Sequence, residues 1–195
     1  MEWFEPLIWT DYRLAVLFTV SIPFTLLIWA FIKRVESIQL LLMIYWRVAS
    51  LLLITLYLMI GSNPVGYIAA FFARILIPLS LWFWQDINDE IEDMPARPLK
   101  LAVTSWRWGI TFYSLLGLIG LIPFIPCGFS NGVITSSFCQ AWLKTPWLYK
   151  SYFHADGKAS TLAFFGLVGL MVYIFYLSYF LLVRLPKQGR TAMEI

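Results

Sequence analysis

The chain has 195 residues, of which 61% are hydrophobic, 18% aromatic and only 13% charged, against about 25% charged and 45–50% apolar in a soluble domain. So much apolar surface excludes a water-soluble globular fold. The net charge of +3 is small and scattered, which excludes nucleic acid as a partner.

No Ser/Gly-rich or low-complexity linker divides the chain, so residues 1–195 read as one transmembrane domain. The opening Met1-Glu2-Trp3-Phe4-Glu5 is acidic and aromatic rather than basic. It does not resemble a cleavable signal, and the first span is expected to be retained.

A membrane helix needs about 20 mostly apolar residues. Five segments qualify, near Leu14–Ile32, Ile38–Ile60, Val65–Trp84, Leu101–Ile125 and Thr161–Val183. The fold class expected is an all-α bundle of five transmembrane helices. Pro23 is expected to kink the first span, because proline supplies no N–H to the helix. Only Gly61-Ser62-Asn63-Pro64 separates the second and third spans, a tight turn that makes them antiparallel neighbours. The outer loop, 126–160, shows no clear helix or strand pattern. It carries Cys127 and Cys139, expected to form a disulfide if that side is oxidising.

Lys33, Arg34, Arg97, Lys100, Arg184, Lys187 and Arg190 fall on one side of the membrane. Arg13, Lys144, Lys150 and Lys158 fall on the other. The excess of Lys and Arg marks the cytoplasmic side, which puts the N-terminus outside and the C-terminus in the cytoplasm. Trp82, Trp84, Trp106 and Trp108 are expected to form an interfacial belt on that side, and Trp3, Trp9, Trp142 and Trp147 a second one outside. Small residues at Gly66/Ala70, Ala69/Ala73, Gly117/Gly120 and Gly166/Gly169 signal close helix contacts, within the bundle or between copies.

Three arginines, Arg47, Arg74 and Arg107, lie inside the spans. The first two sit about 15 Å from the helix ends. At the bilayer centre each costs roughly 2.5–3.5 kcal/mol on insertion scales, and none of the five segments contains Asp or Glu. Their partners are therefore expected among backbone carbonyls, inward-folding loops, a bound anion or another protein. Arg107, beside two tryptophans, is expected to reach helix-terminal carbonyls. Arg47 and Arg74 are candidates for an internal polar site.

Beyond the third span, Asp86, Asp89, Glu90 and Asp93 are spaced to share one helical face. Carboxylates at that density suit Mg²⁺ against a phosphate. With Arg97-Pro98-Leu99, the run Asp86-x-x-Asp89-x-x-x-Asp93 resembles the first aspartate motif of UbiA-type prenyltransferases. That resemblance implies prenyl diphosphate binding through Mg²⁺ by Asp86, Asp89 and Asp93. The family's second aspartate motif has no counterpart here, and a solvated acidic loop bounded by prolines is the other reading. His154 is the only histidine, so a bis-histidine haem within one chain is excluded.

A broader resemblance rests on Trp9-Thr10-Asp11-Tyr12-Arg13, Tyr45-Trp46-Arg47-Val48-Ala49-Ser50, Ala73-Arg74-Ile75-Leu76-Ile77-Pro78 and Pro146-Trp147-Leu148-Tyr149-Lys150. The tail Lys187-Gln188-Gly189-Arg190-Thr191-Ala192-Met193-Glu194 carries it too. Together they resemble an uncharacterised family of cyanobacterial membrane proteins, which implies a thylakoid or plasma membrane. The functional expectation is a non-catalytic accessory or assembly subunit of a photosynthetic or respiratory complex, in contact with membrane lipid. A lipid-diphosphate enzyme and a small-molecule transporter are the alternatives.

Overall fold

The computed structural model describes residues 4–129 and 134–193; Trp3 and Glu194, used above, lie outside them. Among the described residues all regular structure is helical. In chain order the helices are α1 (Phe4–Ala15), α2 (Ile22–Lys33), α3 (Glu36–Ile60), α4 (Val65–Trp82) and α5 (Gln85–Asp93). They are followed by α6 (Pro98–Leu121), α7 (Ser137–Phe153), α8 (Ala159–Tyr179) and α9 (Leu185–Gln188). Five helical stretches are long and apolar enough to cross a membrane: Pro6–Lys33, Glu36–Ile60, Val65–Trp82, Pro98–Gly128 and Ala159–Gln188.

Two expectations need correction. The first span begins well before Leu14, because α1 and α2 run on through a π-helical turn, Val16–Ser21. Ile8 and Thr19 are buried and Asp11 and Ala15 half-buried, so one helical face continues across the charged Asp11–Arg13 stretch. The loop after the fourth span is not irregular either: it holds the 17-residue α7. Ser136 caps α7 by accepting from Cys139 N at 3.4 Å, and Cys139, Leu143 and Pro146 are buried at helical spacing. Lysines and Pro146 hid that periodicity.

The second span is the hub. It packs against the first, third and fifth spans and also touches α5 and α7, while the fourth span lies against the first and third. The core at their centre contains Leu41, Leu42, Tyr45, Ile77, Leu81, Val103 and Ile110. Span five sits at the edge against span two, with only 11% of its most apolar stretch buried. At the tight turn joining α3 to α4, Ser62 takes a left-handed conformation with φ 51°. A side chain at Gly61 would put its Cβ 2.2 Å from that of Ala163, so glycine there lets span five approach.

Pro23 acts through the carbonyls it leaves open. In the π turn Ile22 N donates to Leu17 O; position 23 would next serve Phe18 O in the π register or Thr19 O in the α register, and proline serves neither. Two other spans do so instead. Tyr45 Oη donates to Thr19 O at 2.7 Å, and Trp106 Nε1 donates to Phe18 O at 2.9 Å. The proline thus ties spans two and four to span one. Tyr45→Phe should lower stability in detergent by about 1 kcal/mol. The loss should shrink in a Pro23→Ala background, where an N–H is restored. Equal losses in both backgrounds would show that the tyrosine does not answer the proline.

The tryptophan belt is only partly an interface. Trp108 is exposed and lies 4.8 Å from Trp82, centroid to centroid. Trp84 and Trp106 are instead buried in the core, because Trp106 answers the broken helix of span one.

Candidate functional site

The most developed polar site is built around Arg74, which lies nine residues after Val65 and eight before Trp82 in α4. It is therefore about 13 Å from either end of the helix. Its Nη2 donates to both carboxylate oxygens of Asp11, at 2.8 and 2.7 Å. Tyr113 Oη donates to Asp11 Oδ1 at 2.9 Å, and the guanidinium carbon lies 4.9 Å from the Tyr113 ring centre. Gly117 makes room for this arrangement: a Cβ there would fall 1.6 Å from Arg74 Nη1. That Nη1 is itself buried without a hydrogen bond. Spans one, three and four thus meet at one ion pair, in which Arg74 is buried and Asp11 half-buried.

The sequence pattern flags Gly117 as a close helix contact but gives no sign of Asp11 or Tyr113 as partners of Arg74. A span begun at Leu14 leaves no internal acid; a helix begun at Phe4 carries Asp11 into the bundle. The signal available was Ile8, three residues before Asp11 on the same face.

Arg107 is held at the end of the third span. Its Nη2 donates to Leu81 O at 2.7 Å and to Asn88 Oδ1, and its guanidinium lies 4.1 Å from the Trp82 ring centre. Asn88 Nδ2 in turn donates to Trp82 O at 3.1 Å. The acidic segment is accordingly docked: α5 buries Ile87 and Ile91 and turns Asp89, Glu90, Glu92 and Asp93 outward. It stops at Met94, whose extended backbone suits a residue before Pro95.

Arg47 corrects the idea of a shared internal site. Its side chain points out of the bundle, and among the described residues it makes no hydrogen bond or ion pair. It is 11 residues from the start of α3 and 13 from its end, so it lies at mid-membrane depth on an outward face shared with Met43, Ser50 and Leu53. Arg47, Arg74 and Arg107 occupy three separate environments.

The aspartates diverge as well. Asp86 Oδ2 accepts from the tail, from Ala192 N at 2.5 Å and Met193 N at 2.6 Å, whereas Asp89 and Asp93 are exposed. Among the described residues, no three His, Cys, Asp or Glu side chains are grouped so as to hold a metal ion. Arg97 instead borders a groove with Lys33 and Arg34. At the opposite end Cys127 and Cys139 are at disulfide distance, with Cα atoms 6.0 Å apart. Nearby, His154 Nε2 lies 2.9 Å from Tyr57 Oη, and burial followed by the charge of Tyr57 raises the Tyr149 phenol above its ordinary value.

Five helices long and apolar enough to cross a membrane, with buried arginines joining the first, third and fourth, mark an integral, polytopic α-helical membrane protein. The chain belongs to the DUF3177 family, described as a protein of unknown function, whose family model matches residues 5–193. No curated protein and no solved structure is detectably similar to it.

Proposed function

We propose that this protein is a non-catalytic accessory or assembly subunit of a larger membrane complex. The observation that carries the reading is Arg47, an outward arginine at mid-membrane depth whose side chain makes no hydrogen bond or ion pair among the described residues. An ionisable side chain in that position is costly in lipid, and the cost is offset when another membrane protein brings a carboxylate to it. A second copy is poorly suited to this. Among the described residues of the five spans, Asp11 is engaged by Arg74 and Glu36 stands at a helix end. The cyanobacterial resemblance supports a photosynthetic or respiratory complex in a thylakoid or plasma membrane. Gentle detergent extraction followed by native separation and mass spectrometry should find the protein migrating with a defined set of membrane subunits. Migration as an isolated chain under several mild detergents would end the proposal.

The same reading puts the N-terminus outside and the C-terminus in the cytoplasm. It is supported by the basic end gathering Lys33, Arg34, Arg97 and Lys100 around one groove, and by the cysteine pair at the other end, which suits an oxidising compartment. A thiol reagent applied to intact cells should label a cysteine placed at Asp156 but not one at Glu90 or Gln188. Labelling at Glu90 from outside would invert the topology.

A further inference from the structure

We propose that the groove at the basic end of the bundle binds the headgroup of an anionic phospholipid, and that Lys33, Arg34 and Arg97 hold its phosphate. The groove has a volume of about 880 Å³ and lies between the turn joining the first two spans and the turn leading from α5 into the fourth.

The backbone puts the cations there. Span one ends at Arg34 in the left-handed conformation, φ 53°, with Val35 N donating to Ala30 O at 3.1 Å. Lys33 and Arg34 are thereby held at the corner of a two-residue connection. Across the groove Arg97 is extended, just before Pro98 opens α6. Lys100 is already occupied: its Nζ donates to Glu92 O at 2.6 Å and to Met94 O at 2.7 Å, which fixes the loop that carries Arg97.

Lys33, Arg34 and Arg97 are exposed and make no side-chain hydrogen bond or ion pair among the described residues. Glu36 and Glu90 are the carboxylates lining the groove, against four cations. The balance favours an anion, and Asp86, Asp89 and Asp93 are not part of the wall. This separates the site from the Mg²⁺-bridged diphosphate implied by the aspartate resemblance: here the phosphate meets cations directly.

The apolar part of the wall decides between a free anion and a lipid. Trp29, Ile38, Pro98 and Leu99 line the same groove, at the end of spans one, two and four where headgroups lie. A soluble phosphate leaves that surface unused. An amphiphile covers it with its glycerol and upper acyl carbons while its phosphate reaches the cations, as in basic pockets between membrane helices that take acidic lipids.

The test uses the full chain in detergent, with native mass spectrometry reading bound phosphatidylglycerol against phosphatidylcholine, and inorganic phosphate as competitor. Phosphatidylglycerol should be retained selectively, without Mg²⁺. The triple variant Lys33→Gln/Arg34→Gln/Arg97→Gln should weaken its binding on the order of a hundredfold. Lys33→Arg/Arg97→Lys, which keeps the charge, should retain binding and so control for folding. Arg184→Gln/Lys187→Gln removes two charges from the same end of the bundle, outside the groove, and should change little. Equal weakening by that control would reduce the effect to general surface charge and overturn the site. Displacement by inorganic phosphate at concentrations comparable with the lipid would overturn the lipid assignment.

Discussion

Arg74→Leu should destabilise the protein by about 3 kcal/mol, the low end of what removing one partner from a buried ion pair costs, because the Asp11 side chain is half-buried. Asp11 would be left facing spans three and four with only Tyr113 as a donor, in surroundings that penalise an unpaired carboxylate. The Asp11→Leu/Arg74→Leu double variant should recover most of the loss, because apolar side chains that pack well replace a buried pair at little net cost. Gly117 offers a second readout. In the parent chain Gly117→Ala should be destabilising, since its Cβ would stand 1.6 Å from Arg74 Nη1 and the guanidinium can yield only by loosening its bonds to Asp11. With Arg74→Leu the same methyl should become tolerated, as it fills space that the guanidinium has vacated. Unfolding in detergent, followed across this set, reads both couplings. A neutral Arg74→Leu would mean that the pair does not hold the three spans together.

These couplings also show what was legible in the sequence. Long apolar runs fixed the number of spans, and Gly61–Pro64 identified the hairpin, because both signals are local. Acid spacing at Asp86, Asp89, Glu90 and Asp93 predicted a helical face, and α5 is helical. The direction in which a span faces is different information. Span five is apolar all round, so nothing in its pattern distinguishes the side against span two from the side left outward. Arg47 and Arg74 look equivalent by depth, yet one is exposed and the other buried. Their difference depends on how helices are arranged around α3, which side-chain periodicity does not encode. Asp11 is hidden for the opposite reason: hydropathy alone begins the span after the charged Asp11–Arg13 stretch, whereas the helical face containing Ile8, Asp11 and Ala15 continues through it.

Arg47→Leu should release the protein from its partner complex while leaving the isolated chain as stable as before, or more so. The two halves of this expectation come from one geometry. Among the described residues Arg47 has no side-chain hydrogen bond or ion pair to lose, and a leucine on an outward mid-span position removes a charge that costs roughly 2.5–3.5 kcal/mol on insertion scales. The thermal midpoint in detergent should therefore hold or rise. In the complex the same change strands the partner's carboxylate in a dry interface, which typically costs 2–5 kcal/mol and speeds dissociation. Arg47→Lys should fall between, because it keeps the charge but loses the planar, two-pronged donor set. Asp89→Asn, on the exposed face of α5, should leave the association intact; loss of partners there instead would shift the docking site to the acidic helix. Should Arg47→Leu unfold the isolated protein by several kcal/mol, the arginine serves its own chain and the docking role fails. Retention of every partner by a stable Arg47→Leu protein would be equally decisive, since the feature on which the proposal rests would then contribute nothing to assembly.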